Sequence, residues 1–184
     1  MPDTFVIPGT ATPFARPAEP GDEPQIALAH VTSWQDAYRG HIPQEYLDGL
    51  DASERAELWR RRLAAVDRSR GDVVVAVSGG EIAGFAAFVA SRDEDADPAR
   101  TGELAAMYLR PGSIGQGLGR LLMDAAIEGL AHRGYTEATL WVLDANARAR
   151  RFYARAGWAG DGAVKTDNGL GFPLREVRYR RPLP

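Results

Sequence analysis

The stretch TGELAAMYLRPGSIGQGLGRLLM, Thr101 to Met123, decides the fold. Its opening run from Leu104 to Leu109 is apolar and stops at Pro111-Gly112, which reads as a strand followed by a turn. From Leu118 onward, Leu121, Leu122, Ala125, Ala126, Gly129 and Leu130 recur at helical spacing, with Arg120, Asp124 and Glu128 on the opposite face. Gly115, Gly117 and Gly119 lie between the two elements. Residues without side chains let a ligand approach the backbone, and the first N–H groups of a helix have no intrahelical partner. A strand leading through such a loop into a helix is a site for a phosphate or pyrophosphate. A plain tight turn would use the same glycines, so the glycines by themselves leave both readings open.

Two other phosphate-binding loops are excluded by spacing. A dinucleotide fingerprint, G-x-G-x-x-G, needs a glycine where Arg120 stands, and a P-loop needs Gly-Lys-Ser/Thr at the helix start, where this loop has no lysine.

Toward the N-terminus, Asp72 to Ser91 predicts a hairpin. Its strands are Val73–Val77 and Ile82–Val89, joined at Ser78-Gly79-Gly80-Glu81. Helices are predicted over about Glu23–Tyr38 and Ser53–Ala65, the first stopped by Gly40 and Pro43. A short strand is expected at Phe14–Ala18, and residues 1–13 form a flexible lead-in. The segment SWQDAYRGHIPQEYLDGL groups Trp34, Tyr38 and His41, whose polar tips could meet a substrate; simple aromatic packing is the other reading. The acidic run Asp93–Pro98 is expected to be a solvated turn.

Toward the C-terminus, Thr136–Leu143 is a strand. It leads into a helix that begins near Asn146 and is closed by Gly157. Asn146, Arg150 and Tyr153 share one face of it. Locally, Asn146 reads as a helix cap and Tyr153 as a packed aromatic. A terminal hairpin follows over Ala163–Arg180, with Glu176–Tyr179 in its last strand.

Composition sets the class. A chain of 184 residues, 45% hydrophobic and 26% charged, suits one globular domain. A net charge of -3 argues against nucleic-acid binding. The sequence contains no apolar run long enough to span a membrane, and its N-terminus lacks a signal-peptide pattern, so a cytoplasmic location is expected. With no cysteine there is no disulfide, thiolate metal site or cysteine acyl-enzyme. His30, His41 and His132 are scattered, so no catalytic metal is expected.

The central segment resembles motif A of the GCN5-related N-acetyltransferase (GNAT) superfamily, where a Q/R-x-x-G-x-G/A loop wraps the pyrophosphate of acetyl-CoA. Here that pattern falls on Ile114-Gly115-Gln116-Gly117-Leu118-Gly119, with Ile114 in place of the usual Gln or Arg. The run from Asn146 through Tyr153 to Gly157-Trp158 is similar to motif B. The resemblance implies an α/β GNAT fold over residues 14–184: a single domain with a central mixed, splayed β-sheet flanked by helices. It further implies acetyl-CoA as co-substrate, bound by Met107, Tyr108 and Leu109 along the strand, by residues 115–120 (Gly115, Gln116, Gly117, Leu118, Gly119 and Arg120) and by Asn146. Tyr153 would be the general acid and Glu103 the general base, with Trp34, Tyr38 and His41 on the acceptor side. The implied reaction is acetyl transfer to a primary amine, in a small molecule or protein, by direct attack in a ternary complex. A CoA-binding sensor or scaffold without catalysis is the alternative, and edge strands in the terminal hairpin are compatible with a homodimer.

Overall fold

A computed structural model describes residues 12–184, so the lead-in expected over 1–13 lies almost wholly outside the described residues. Seven strands form one open mixed sheet, in the order β1-β2-β3-β4-β5-β7-β6. They are β1 (Phe14–Pro17), β2 (Asp72–Ser78), β3 (Glu81–Ala90), β4 (Thr101–Leu109), β5 (Glu137–Leu143), β6 (Ala159–Asp167) and β7 (Leu174–Pro182). The helices are α1 (Glu23–Ala37), α2 (Gln44–Asp48), α3 (Ala52–Ala65), α4 (Leu118–His132) and α5 (Ala147–Arg155). All neighbouring strands are antiparallel except β4 and β5.

The apolar run of β2 is continuous because both faces of the sheet are covered. Val74, Ala76, Ala86, Phe88 and Leu104 pack with Leu122, Met123, Ala126 and Leu130 of α4. Val73, Val75, Ile82 and Phe85 pack on the other face with Ile26, Ala29 and Trp59 of α1 and α3. The helix starts follow local chemistry. Pro24 opens α1, the Asp51 carboxylate accepts from the N–H groups of Ser53 and Glu54, and Asn146 caps α5 by accepting from Ala149 N at 3.0 Å.

Three details depart from the expected elements. A five-residue helix, α2, follows Pro43 where a loop was expected. β4 begins at Thr101, ahead of the apolar run, because Thr101, Gly102 and Glu103 pair with Glu137, Ala138 and Thr139. β6 begins at Ala159, four residues early. Ala159 and Gly160 already pair with β7, and a bulge between Gly160 and Val164 interrupts the alternation from which a strand is read.

The acidic run Asp93–Pro98 is not a simple solvated turn. Arg178, 7% exposed, donates to both carboxylate oxygens of Asp95 and also lies against Asp93 and Asp161. The Trp141 indole N–H donates to Asp93 at 2.8 Å. The loop is thereby fastened across β5 to β7.

Candidate active site

The pairing of β4 with β5 ends at Glu103–Thr139, although β4 runs on to Leu109 and β5 to Leu143. Beyond that point the two parallel strands diverge, and a cleft of about 380 Å³ opens between them. Met107, Tyr108 and Leu109 line it from β4, Ile114 and Gly119 from the loop and α4, and Asn146, Phe152 and Tyr153 from α5. The Leu109 carbonyl is already engaged, accepting from the Ser33 hydroxyl of α1.

The loop is built around backbone conformation. Gly115 and Gly117 have φ of +85° and +82°, the left-handed region that side-chain-bearing residues avoid. Gly117 is the N-cap of α4 and brings no side-chain acceptor, so the Leu118 and Gly119 N–H groups stay open to a ligand, while that of Arg120 donates to the Gly117 carbonyl at 3.0 Å. Gly119 sits close under α5: a Cβ there would lie 3.3 Å from the Phe152 ring and 3.4 Å from Leu109. Leu118 is buried in the core, so it offers only main chain to the cleft. Gln116 turns back and donates to the Gly112 carbonyl at 2.8 Å. Arg120 lies in solvent beside Asp124. Ile114 is exposed at the cleft and supplies no polar group. What the loop offers an anionic ligand is therefore main chain rather than side chains.

Tyr153 enters the cleft from α5, packed edge-on against Phe152 and Trp158. Burial pushes its phenol well above the usual range, with nearby Tyr108 adding to the shift, so it keeps its proton at neutral pH. Tyr38 and Tyr108 are shifted upward as well, first by burial. Glu103 lines the same cleft, 5% exposed, but its carboxylate is gripped by Arg92: Nε donates to Oε2 at 3.0 Å, Nη2 donates to Oε1, and the Arg92 N–H points at Oε2. Its lone pairs are largely committed to that guanidinium.

The acceptor-side expectation divides. Tyr38 lines the cleft and also an adjoining cavity of about 200 Å³, which Trp34 and Tyr108 share. The Trp34 and Tyr38 rings meet edge to face at 4.9 Å, and the Trp34 indole N–H is buried without a hydrogen-bond partner among the described residues. His41 is exposed and lines neither cavity. Its place among the aromatic rings is taken by His30, one helical turn before Trp34. His30 stacks on Tyr108 with centroids 5.1 Å apart and accepts from the Trp59 indole at 3.2 Å. Burial, assisted by Arg55 and Arg62, holds the His30 pKa down to about 3, so the ring is neutral.

Among the cleft residues that the sequence did not mark are Trp141, Lys165 and Glu176. Glu176, half-buried on β7, lines both cavities and pairs with Lys165 at 3.3 Å. Desolvation raises its pKa against the lowering effect of Lys165, with Asp167 and Glu103 adding to the rise. A charged residue inside a strand carries no local mark of what it faces. Arg148, on the outer side of α5, reaches Asp36 on α1 at 3.0 Å and so links the two helices that flank the cleft.

Residues 32–158 match the family model described as the acetyltransferase (GNAT) family. The chain is 34% identical over 131 residues to an uncharacterized N-acetyltransferase, YuaI, of Bacillus subtilis, covering 71% of this chain and 72% of that protein. Its fold is similar to that of the PaiA N-acetyltransferase of Thermoplasma acidophilum in complex with coenzyme A. The TM-score is 0.74 at 19% identity, over 93% of this chain and 99% of that one. It is also similar to yncA of Salmonella typhimurium, a putative acetyltransferase with its cofactor acetyl-CoA. There the TM-score is 0.69 at 21% identity, over 95% of each chain.

Proposed function

The chain belongs to the GNAT acetyltransferase family, and on that premise we propose that it transfers the acetyl group of acetyl-CoA to a primary amine by direct attack in a ternary complex. The observation that carries this reading is the unpaired stretch of β4 and β5, which opens between a glycine-capped helix start and the Tyr153 phenol. The loop N–H groups suit a pyrophosphate, and the free edge of β4 near Met107 suits the amide-bearing arm of the co-substrate, as an added strand would. Acetyl-CoA supplies the activated acyl group; the remaining chemistry falls to side chains of this chain.

Three tasks follow from attack by an amine on a thioester. Tyr153 protonates the departing sulfur. A main-chain N–H near Met107 stabilises the oxyanion. The amine gives its proton to a carboxylate, and between the two candidates we assign that role to Glu176. Glu103 is bound to Arg92 through both oxygens, whereas Glu176 borders the acceptor cavity, meets Lys165 through one oxygen, and has its pKa raised by desolvation. Trp34 and Tyr38 form the wall of the acceptor cavity. Self-association belongs to the same reading, because β6 is an open edge strand with Val164 exposed, and sedimentation velocity measures it.

The test is a panel of amines assayed for release of CoA thiol, beside calorimetry with acetyl-CoA. Glu176→Gln is expected to lower turnover by at least about a hundredfold and Glu103→Gln by much less, with the thermal transition checked for both. The reverse order would return the base to Glu103. Acetyl-CoA binding with no thiol release on any amine would favour a non-catalytic CoA-binding protein.

A further inference from the structure

Of the 22 basic residues in this chain one is a lysine, Lys165, and it lies at the acetyl-CoA cleft. It is carried on β6 directly across from Glu176 of β7. Its ammonium turns inward over the sheet: Nζ is 4.2 Å from the centroid of the Trp141 ring and 3.3 Å from Glu176 Oε2. Trp141 is a fixed platform, held by its hydrogen bond to Asp93 and by Arg178, which lies 5.5 Å from the same ring centroid. The side chain keeps 44% of its surface in solvent and lines the same cleft as Tyr153.

A purely structural cation at this place would be served as well by arginine, which forms cation–π contacts more often and pairs with carboxylates through two nitrogens. Arginine occupies every other basic position in the chain. Lysine differs in one chemical respect: it can release a proton and become a nucleophile, whereas a guanidinium stays charged. Here the amine touches a half-buried carboxylate and borders the cavity assigned to the thioester.

We propose that Lys165 is a site of self-acetylation, at which the protein transfers the acetyl group of bound acetyl-CoA to its own Nζ when no acceptor amine is present. The inference rests on the acetyltransferase reading above. The Lys165 ammonium gives one proton to Glu176, and the nitrogen lone pair forms the N–C bond with the thioester carbonyl. The C–S bond breaks with its electron pair leaving on sulfur, which takes a proton from Tyr153. The second proton on the attacking nitrogen returns to the Tyr153 phenolate. The products are acetylated Lys165, CoA thiol and one proton released from Glu176 to solvent.

The experiment incubates the purified chain with acetyl-CoA alone and follows intact mass, then locates the modification by peptide mapping. The expected result is a gain of one acetyl group at Lys165, first-order and independent of protein concentration. It should be absent in Lys165→Arg and at least tenfold slower in Glu176→Gln and in Tyr153→Phe. An unmodified Lys165, a rate that rises with protein concentration, or an equal rate in the urea-unfolded chain would overturn it. Calorimetry and the amine panel on the same sample separate the two layers. If acetyl-CoA does not bind, the reading of the function fails and the inference with it. If it binds and turns over while Lys165 stays unmodified, the inference alone fails.

Discussion

At the scale of single residues, polarity in this cleft is set by burial. A phenol with its ordinary pKa of about 10 is already protonated at neutral pH, and desolvation of Tyr153 opposes the phenolate further. Tyr153→Phe retains the ring against Phe152 and Trp158 and deletes that proton. Single-turnover acetyl transfer should fall by about 10²-fold or more while acetyl-CoA affinity barely changes; unchanged turnover with a lower melting temperature would make the hydroxyl structural. His30 shows the same physics with opposite sign. Unfolded, it binds a proton below about pH 6.5, and folded it stays neutral down to about pH 3. Between those values the unfolded chain holds the extra proton, so stability is full above the window and falls by up to about 1.4 kcal/mol per pH unit as pH drops through it. Denaturant midpoints at about pH 7.5 and about pH 5 should differ more for the wild type than for His30→Gln, because shared carboxylate effects cancel in the comparison. Equal differences would show that the ring ionises freely in the fold.

At the scale of elements, the start of α4 joins two requirements in one residue. Gly117 must take a left-handed φ of +82°, and it must leave the Leu118 and Gly119 N–H groups uncovered. Gly117→Asp adds backbone strain and sets a negative charge where the pyrophosphate would lie. Affinity for acetyl-CoA should drop at least about tenfold, or about 1.4 kcal/mol. Gly117→Ala carries the strain without the charge, so the difference between the two variants isolates electrostatics. Equal calorimetric affinity in a folded Gly117→Asp protein would move the pyrophosphate elsewhere. α5 combines roles in a similar way: Asn146 caps the helix and lines the cleft, and Arg150 on the same face bonds Asp144 and the Tyr179 hydroxyl.

At the scale of the whole molecule, the cleft exists because two halves of the sheet part after Glu103 and Thr139 and are each held from outside. On the C-terminal side Arg178 gathers Asp93, Asp95 and Asp161, joining the loop after β3 to β6 and β7. These contacts hold the Asp95 carboxyl down to about 2, chiefly through the hydrogen bond from Arg178. Arg178→Met would strip Asp93 of its cation, while Arg180 would still reach Asp161 at 2.7 Å and Asp95 at 3.3 Å. Because Asp95 reaches water and Arg180 remains, the loss of stability should fall below the roughly 3–5 kcal/mol that follows from breaking a fully buried pair. Trp141 fluorescence should change as its Asp93 anchor loosens, and urea unfolding measures the loss; a variant as stable as the wild type would show the network to be an incidental surface feature.

The sequence by itself determined the strand-glycine-helix unit at 101–123, the Asn146 cap with Tyr153 two turns on, and the hairpin over Asp72–Ser91. Each of these is local, written in side-chain period, in cap chemistry or in a glycine that permits a positive φ. It also carried the resemblance that gives the fold. The tertiary structure alone decided that Glu103 is bound to Arg92, that His41 stands aside while His30 packs under Tyr108, and that Lys165 meets Glu176 over Trp141. Those outcomes depend on contacts between distant segments and on strand register. The bulge between Gly160 and Val164 shows why: a local irregularity of a few residues resets which side chains of β6 face β7 and the cleft. Periodicity read along one strand carries no record of where its partner will begin to pair.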